Sequence, residues 1–344
     1  MLNDNIKTKK PLRFKQDGNF RIMLFSDLHG IPNYDPRIKR SITAMVKAEK
    51  PDLVFFNGDN MYGLETHEQV RTYLTDITEY LETNNIPWAH VYGNHDSEAG
   101  LSRQEQQKIY ESFPNCLSKY GPSDIGGVGN YVLPIMSSSS DNIAFNVWAL
   151  DSGEYIGNFE DKFGISATNG YKTVLPQHFY NGTYYDLIRF EQIMWYYNSS
   201  KQLEEYNKAK IPALMFFHIA LPEMKLIHMN PTQTNMTGDE NEQVCCAETN
   251  SGLFAAVLQR GDVKGIYFGH DHNNNYEGTY AGIKLGFDGA MGFNSYGMDG
   301  ETETKRSSCR GCRVFDITES DPVNYKSFFI RVNDYIDVED INSR

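Results

Sequence analysis

The sequence predicts an α/β protein with parallel strands, and two observations carry that prediction. The stretch "FRIMLFSDLHG", Phe20 to Gly30, is an apolar run that stops at polar residues and glycine, as a buried strand does where it meets its loop. After an intervening helical pattern, "DLVFFNGDN" repeats the motif: apolar strand, glycine, acid. Strand, helix, strand is the grammar of a βαβ unit, whose strands are parallel and end on one edge of the sheet. That edge is where open α/β sheets bind ligands.

The elements follow in order. Ile38, Ile42, Met45 and Val46 fall on one face of a helix over about 36–49. A second helix is expected over about 65–84, with Val70, Tyr73, Leu74, Ile77 and Leu81 as its buried stripe. "IPWAHVYGNHD" is a third strand, ending in Gly93, Asn94, His95 and Asp96. "SRQEQQKIYESF" reads as a short capped helix, and "GPSDIGGVGN" and the four serines as loop. "NIAFNVWALDSG" is a strand with an acidic end, and a long helical pattern runs over about 186–207, with Ile188, Ile193, Trp195 and Tyr196 among its apolar members. "IPALMFFHIALP" is a strand carrying His218. "NSGLFAAVLQRGD" is a helix capped near Asn250 or Ser251 and stopped by Gly261, and the strand "VKGIYFGHDH" follows it. With no linker and no internal repeat, residues 1–344 are expected to form a single domain, its core over about 12–320, with a C-terminal strand and tail over about 315–344.

Composition narrows the function. A formal net charge of −13 argues against general nucleic-acid binding, which draws its affinity from Lys and Arg on phosphates. An anionic substrate is still compatible, because bound metal ions reverse the local field. No apolar run is long enough to span a membrane. The basic start "MLNDNIKTKKPLRF" has no apolar stretch after it and is not a signal peptide, which favours the cytoplasm; a removed leader would instead mean secretion. Five cysteines leave their disulfide status open, and the "CRGC" of Cys309 and Cys312 is half a zinc site, a redox pair or coincidence. The oligomeric state is not legible.

"YFGHDHNNNYEG" places His270 and His272 two residues apart, so that at a strand end they point the same way. Two imidazoles at that spacing need partners, and five strands end in metal-capable residues: "DLH" at 27–29, "GD" at 58–59, "GNHD" at 93–96, His218, and "GHDH" at 269–272. Each has an ordinary structural reading on its own. Their joint recurrence, each after a strand, points to a metal centre.

These ordered blocks, D-x-H, G-D, G-N-H-D, a lone His and G-H-x-H, resemble those of the calcineurin-like metallophosphoesterase superfamily over roughly residues 12–320. "PWAHVYGNHDSEAGLSR", "NSGLFAAVLQRGDVKGIYFGHDHNN" and "GFNSYG" are most similar to the purple-acid-phosphatase-like subgroup, related to the plant "inactive" purple acid phosphatases and a fungal phosphatase. The resemblance implies a four-layer α/β sandwich, two mixed β-sheets flanked by helices. It also implies that Asp27, His29 and His272 hold one metal ion, that Asn94, His218 and His270 hold a second, and that Asp59 bridges them. His95 would contact a substrate oxygen, with Asn94, or protonate the leaving group; Asp96 would either orient His95 or cap a helix.

Carboxylate, amide oxygen and imidazole suit iron, manganese or zinc. Two such ions about 3.5–4 Å apart lower the pKa of a shared water and present hydroxide to phosphorus for in-line attack. True purple acid phosphatases place a metal-binding tyrosine in G-D-x-x-Y and lack the histidine of the first block. Here "GDNMY" puts Tyr62 at that spacing alongside His29, so His29 is expected as the ligand, Tyr62 as a neighbour, and the protein not to be purple. The expected activity is hydrolysis of a small phosphate ester, foremost a phosphomonoester; a phosphodiester or a silent scaffold are the alternatives. The pocket walls lie in 97–140, 152–182 and 222–250, with Arg103 and Lys225 as possible phosphate donors by placement.

Overall fold

The computed structural model describes residues 8–157, 184–247, 249–297 and 309–337. The first half of the chain gives β1 (Leu12–Arg13), β2 (Asn19–Phe25), α1 (Arg37–Glu49), β3 (Leu53–Asn57), α2 (His67–Ile77), α3 (Glu79–Thr83), β4 (Trp88–Val91) and α4 (Arg103–Glu111). There follow β5 (Tyr131–Met136), β6 (Ile143–Ala149), β7 (Tyr155–Gly157), β8 (Tyr184–Tyr185), α5 (Phe190–Asn207), β9 (Ala213–Phe216) and α6 (Met224–Met229). The chain continues through α7 (Leu253–Arg260), β10 (Val263–Phe268), β11 (Glu277–Tyr280), β12 (Ile283–Phe287), β13 (Gly311–Thr318) and β14 (Lys326–Arg331).

Two mixed sheets form. One has seven strands in the order β1-β5-β6-β9-β10-β12-β11, the other five in the order β14-β13-β2-β3-β4. Strands β2, β3 and β4 are mutually parallel, as are β6, β9, β10 and β12, while β13 runs antiparallel to β2. The expected C-terminal strand is therefore two strands, and β13 sits inside its sheet rather than at the edge.

The two-residue period of the strands explains the layering. In β2, Phe20, Ile22 and Leu24 face the other sheet, while Met23 and Phe25 face helices. In β9, Leu214 and Phe216 join the same inter-sheet core, and Met215 packs outward. Phe55 and Phe216 meet across the sheets with centroids 5.1 Å apart. Outside, Ile38, Ile42, Val70 and Leu74 cover the five-stranded sheet, and Ile193, Tyr196, Leu253 and Val257 cover the seven-stranded one. The result is helix, sheet, sheet, helix, and full burial of each such side chain is worth about 1.5–3 kcal/mol.

Local chemistry shifts some boundaries. The single helix expected over 65–84 is interrupted at Thr78, whose hydroxyl donates back to Leu74 O at 2.6 Å. Helix α7 begins after Gly252 with no side-chain cap; Asn250 and Ser251 shape the preceding turn, and Gly261 ends the helix at φ +69° as expected. Ser102 caps α4 through a reciprocal bond with Glu105. No helix among the described residues is long and apolar enough to cross a membrane.

Candidate metal centre

The C-terminal ends of β2, β3 and β4 from one sheet, and of β9 and β10 from the other, meet at one place. Past its strand, each chain turns sharply. Asp27, His29, Asp59 and His270 all have positive φ, at 56°, 48°, 49° and 74°. Such conformations cost of order 1–3 kcal/mol each in non-glycine residues and concentrate at functional sites. The glycines beside them are there for space: a Cβ on Gly93 would lie 2.3 Å from Asp59 Oδ1, and one on Gly269 would lie 1.9 Å from Ser26 Oγ. The loops are laced by backbone bonds, Asp27 N to Gly58 O at 3.0 Å and His29 N to Asp59 O at 2.9 Å.

Two buried groups of potential ligands result, Asp27 with His29 and His272, and Asp59 with His218 and His270. Each draws on both sheets. His272 Nε2 lies 3.2 Å from Asp27 Oδ1 and 3.1 Å from His29 Nε2. Asp59 Oδ2 stands 3.1 Å from His218 Nε2 in its own group and 3.7 Å from His29 Nε2 in the other. Each carboxylate has one oxygen pinned: Asp27 Oδ2 accepts from Ser26 Oγ and His270 N, and Asp59 Oδ1 from His95 N. The second oxygens face the imidazoles.

The remaining atoms show what would fit. Asp27 Oδ1, Asn94 Oδ1, His218 Nε2 and His270 Nε2 are buried and make no hydrogen bond. Buried lone pairs without partners are costly and call for an explanation. His218 Nδ1 is held by Asn57 O at 2.9 Å and His272 Nδ1 by Tyr296 O at 3.0 Å, so Nε2 of each is left to a ligand. Asn94 is turned the same way, its Nδ2 donating to the Tyr155 hydroxyl at 2.9 Å while Oδ1 stays open. Burial opposes charge on His218, but the Asp59 and Asp27 carboxylates outweigh it and push its pKa up to about 10. Burial and the neighbouring His218 bring His270 down to about 3. Burial disfavours the Asp27 anion too, yet His218 and His272 hold it well below the usual carboxylate range. An anionic, imidazole-rich and oxygen-rich cluster with open lone pairs fits metal cations of the iron, manganese and zinc kind.

Residues 20–274 match the family described as calcineurin-like phosphoesterase. The chain belongs to this family. Its relatives include the Arabidopsis thaliana protein named "Probable inactive purple acid phosphatase 14", 33% identical over 85% of this chain and 75% of that one. The Saccharomyces cerevisiae phosphatase DCR2 is 30% identical over 77% of this chain and 46% of its own. A dimetal phosphatase from Danio rerio shares the fold at a TM-score of 0.54 and 13% identity, covering 91% of this chain and 99% of that one. The reaction class is accordingly metal-dependent hydrolysis of phosphoric esters, and the resemblance to the purple-acid-phosphatase-like subgroup holds.

Around this phosphoesterase centre some expectations need correction. His95 stands at the mouth, its side chain about a third exposed, with its ring 5.2 Å from that of His29. Asp96 neither orients it nor caps a helix. Its carboxylate is turned inward and accepts the backbone N–H groups of Asn60, Met61 and Gly93 at 3.0, 3.0 and 2.7 Å, tying the "GDN" loop to the "GNH" loop. Burial and the Asp59 charge push its pKa up to about 7 against those donors. The group beside His95 is instead Glu98, whose Oε1 lies 2.9 Å from Nδ1; the spacing H-x-x-E on a single 3₁₀ turn was the available signal. Tyr62 packs edge-on against His95, with ring centroids 5.8 Å apart.

Arg103 is spent as a brace. It donates to Asp151 at 2.6 Å, to Gly93 O at 2.7 Å and to Ser97 Oγ at 2.9 Å, leaving it engaged with the protein rather than with substrate. Lys225 lies on α6. Segment 152–182 falls outside the described residues beyond position 157. The acidic insertion, by contrast, is well placed: Asn275 bonds Asp239, Asn274 bonds Asn241, and Asn273 bonds both Asn241 and Glu242. The "NNN" run thus laces "GDENEQ" beside His272. Cys312 is buried in the core under the five-stranded sheet, and neither metal-capable cluster includes it or Cys309.

Proposed function

We propose that the protein is a binuclear phosphomonoesterase acting on a small phosphate ester. Asp27, His29 and His272 would hold one ion, Asn94, His218 and His270 the other, and Asp59 would serve both. Such a pair supplies Lewis acidity and an acidified water for attack on phosphorus. The chain's own residues do the rest: Asn94 and His95 contact the phosphoryl oxygens, and His95 gives a proton to the departing alkoxide while Glu98 holds its ring. Asp96 keeps the two loops in register. The observation that carries this reading is the convergence of unpartnered lone pairs from both clusters beneath a solvent-accessible histidine.

The name of the relative phosphatase DCR2 supports monoester over diester, whereas the plant relatives' names, probable inactive purple acid phosphatases, lend weight to a silent scaffold. The engagement of Arg103 favours the second reading, a phosphodiesterase, because the basic group placed to meet a dianion is otherwise occupied. A silent scaffold would be free to lose ligands, and this chain keeps all seven. Comparing 4-nitrophenyl phosphate with bis(4-nitrophenyl) phosphate, using protein reloaded with manganese, zinc or iron, separates the three. Monoester preference is expected; diester preference would establish the second reading, and inactivity on both with two ions bound would favour the scaffold.

A further inference from the structure

The two halves of the centre are braced by different parts of the fold. Around Asp27, His29 and His272 the braces come from the loops after the strands: His29 N donates to Asp59 O, Ser26 Oγ donates to Asp27 Oδ2, and His272 Nδ1 meets Tyr296 O at 3.0 Å while its ring stacks on that of Tyr296. The other half leans on a separate two-stranded ribbon, β7 with β8. Tyr155 and Tyr185 are paired across its antiparallel strands, and their rings stack with centroids 5.6 Å and planes 29° apart. Paired residues of this kind present their side chains on one face. From that face the Tyr155 hydroxyl accepts from Asn94 Nδ2 at 2.9 Å, and the Tyr185 ring stands edge-on to His270 with centroids 4.4 Å apart.

The chemistry of an amide makes the first contact consequential. Its oxygen can coordinate a cation; its NH2 group offers two donors and no acceptor. With Asn94 Oδ1 turned toward an ion, Nδ2 needs an acceptor inside a buried site, and the Tyr155 oxygen is that acceptor. Tyr185 does for the His270 ring by packing what Tyr155 does for the amide by hydrogen bonding. Building on the binuclear reading, we infer that Tyr155 and Tyr185 are positioning residues for the ion held by Asn94, His218 and His270. The β7–β8 ribbon governs occupancy of that ion site, and the site of Asp27, His29 and His272 stands without it.

The test is calorimetric titration of the metal-free full chain with manganese, read as two binding steps and independent of turnover. Tyr155→Phe, which keeps the ring and removes the acceptor, should weaken one step about 10–100-fold and leave the other within about twofold. Tyr185→Leu should weaken the same step about tenfold. Asn94→Ala identifies the step that belongs to this ion, and adding Tyr155→Phe to it should cost no more than about a further twofold, because Tyr155 acts through Asn94. Both steps unchanged in either tyrosine variant, equal weakening of both steps, or a full additional loss in the double variant would overturn the inference. Fewer than two ions bound by the wild-type chain would instead overturn the binuclear reading beneath it.

Discussion

His95 and Glu98 are paired through Nδ1 and Oε1 at 2.9 Å on a single 3₁₀ turn at the mouth of the metal centre. With Nδ1 directed at the carboxylate, Nε2 is the nitrogen available to carry a proton. If that proton goes to the leaving group, its value depends on how poor the leaving group is. His95→Ala should lower kcat about 10²–10⁴-fold with an alkyl phosphate and much less with 4-nitrophenyl phosphate. Glu98→Gln should show the same asymmetry at smaller size, about tenfold. Equal losses on both substrates would remove His95 from the acid role.

Asp96 acts on structure. Replacing it with Asn turns one of its two acceptor oxygens into an NH2 group facing backbone N–H donors, at a cost of about 1–3 kcal/mol of stability. Chemical denaturation of the metal-free protein should show that loss without any metal present. Unchanged stability, coupled to an altered pH profile of hydrolysis, would restore Asp96 to catalysis.

Tyr62 packs against His95, and His29 already stands with Asp27 and His272, so the iron-loaded protein should be colourless in the region of tyrosinate charge transfer. An absorption band there that disappears in Tyr62→Phe would contradict the placement.

His90 is buried, with Nδ1 at 2.7 Å from Ser118 Oγ and its ring stacked on Tyr110 at 3.4 Å. Burial holds its pKa well below 6.5. The folded state therefore takes the proton less readily than the unfolded chain: the stability this neutral ring contributes is complete above about pH 6.5 and is lost as the pH falls below it. Against His90→Gln in chelator, wild-type stability should decline by up to about 1.4 kcal/mol more per pH unit below about pH 6. Parallel pH dependences in the two proteins would show that His90 does not set it.

Much of the centre was legible because its signals are local. A strand that ends in a ligand beside glycine shows itself within a few residues, and six of the seven proposed ligands lie at such ends; His218 follows its strand with no glycine nearby in the sequence. Other relations depend on which loops meet, and no spacing reveals that. Asp96 turns inward because Asn60, Met61 and Gly93 present their N–H groups to it, and Arg103 is claimed by Asp151, 48 residues away. The docking of Glu242 beside His272 required the insertion to fold back on the "NNN" run. The left-handed backbone at Asp27, His29, Asp59 and His270 is only weakly signalled, since Asp and His are enriched in that conformation yet most of them adopt another.

The most direct test of the central claim is the initial rate of 4-nitrophenyl phosphate hydrolysis as manganese is added back to metal-free protein, with bound metal counted at each step. The rate should reach its plateau at two ions per chain, and Asp59→Ala should abolish it. Full activity with one ion, undiminished activity in Asp59→Ala, or silence toward both monoester and diester with two ions bound would contradict the binuclear phosphoesterase.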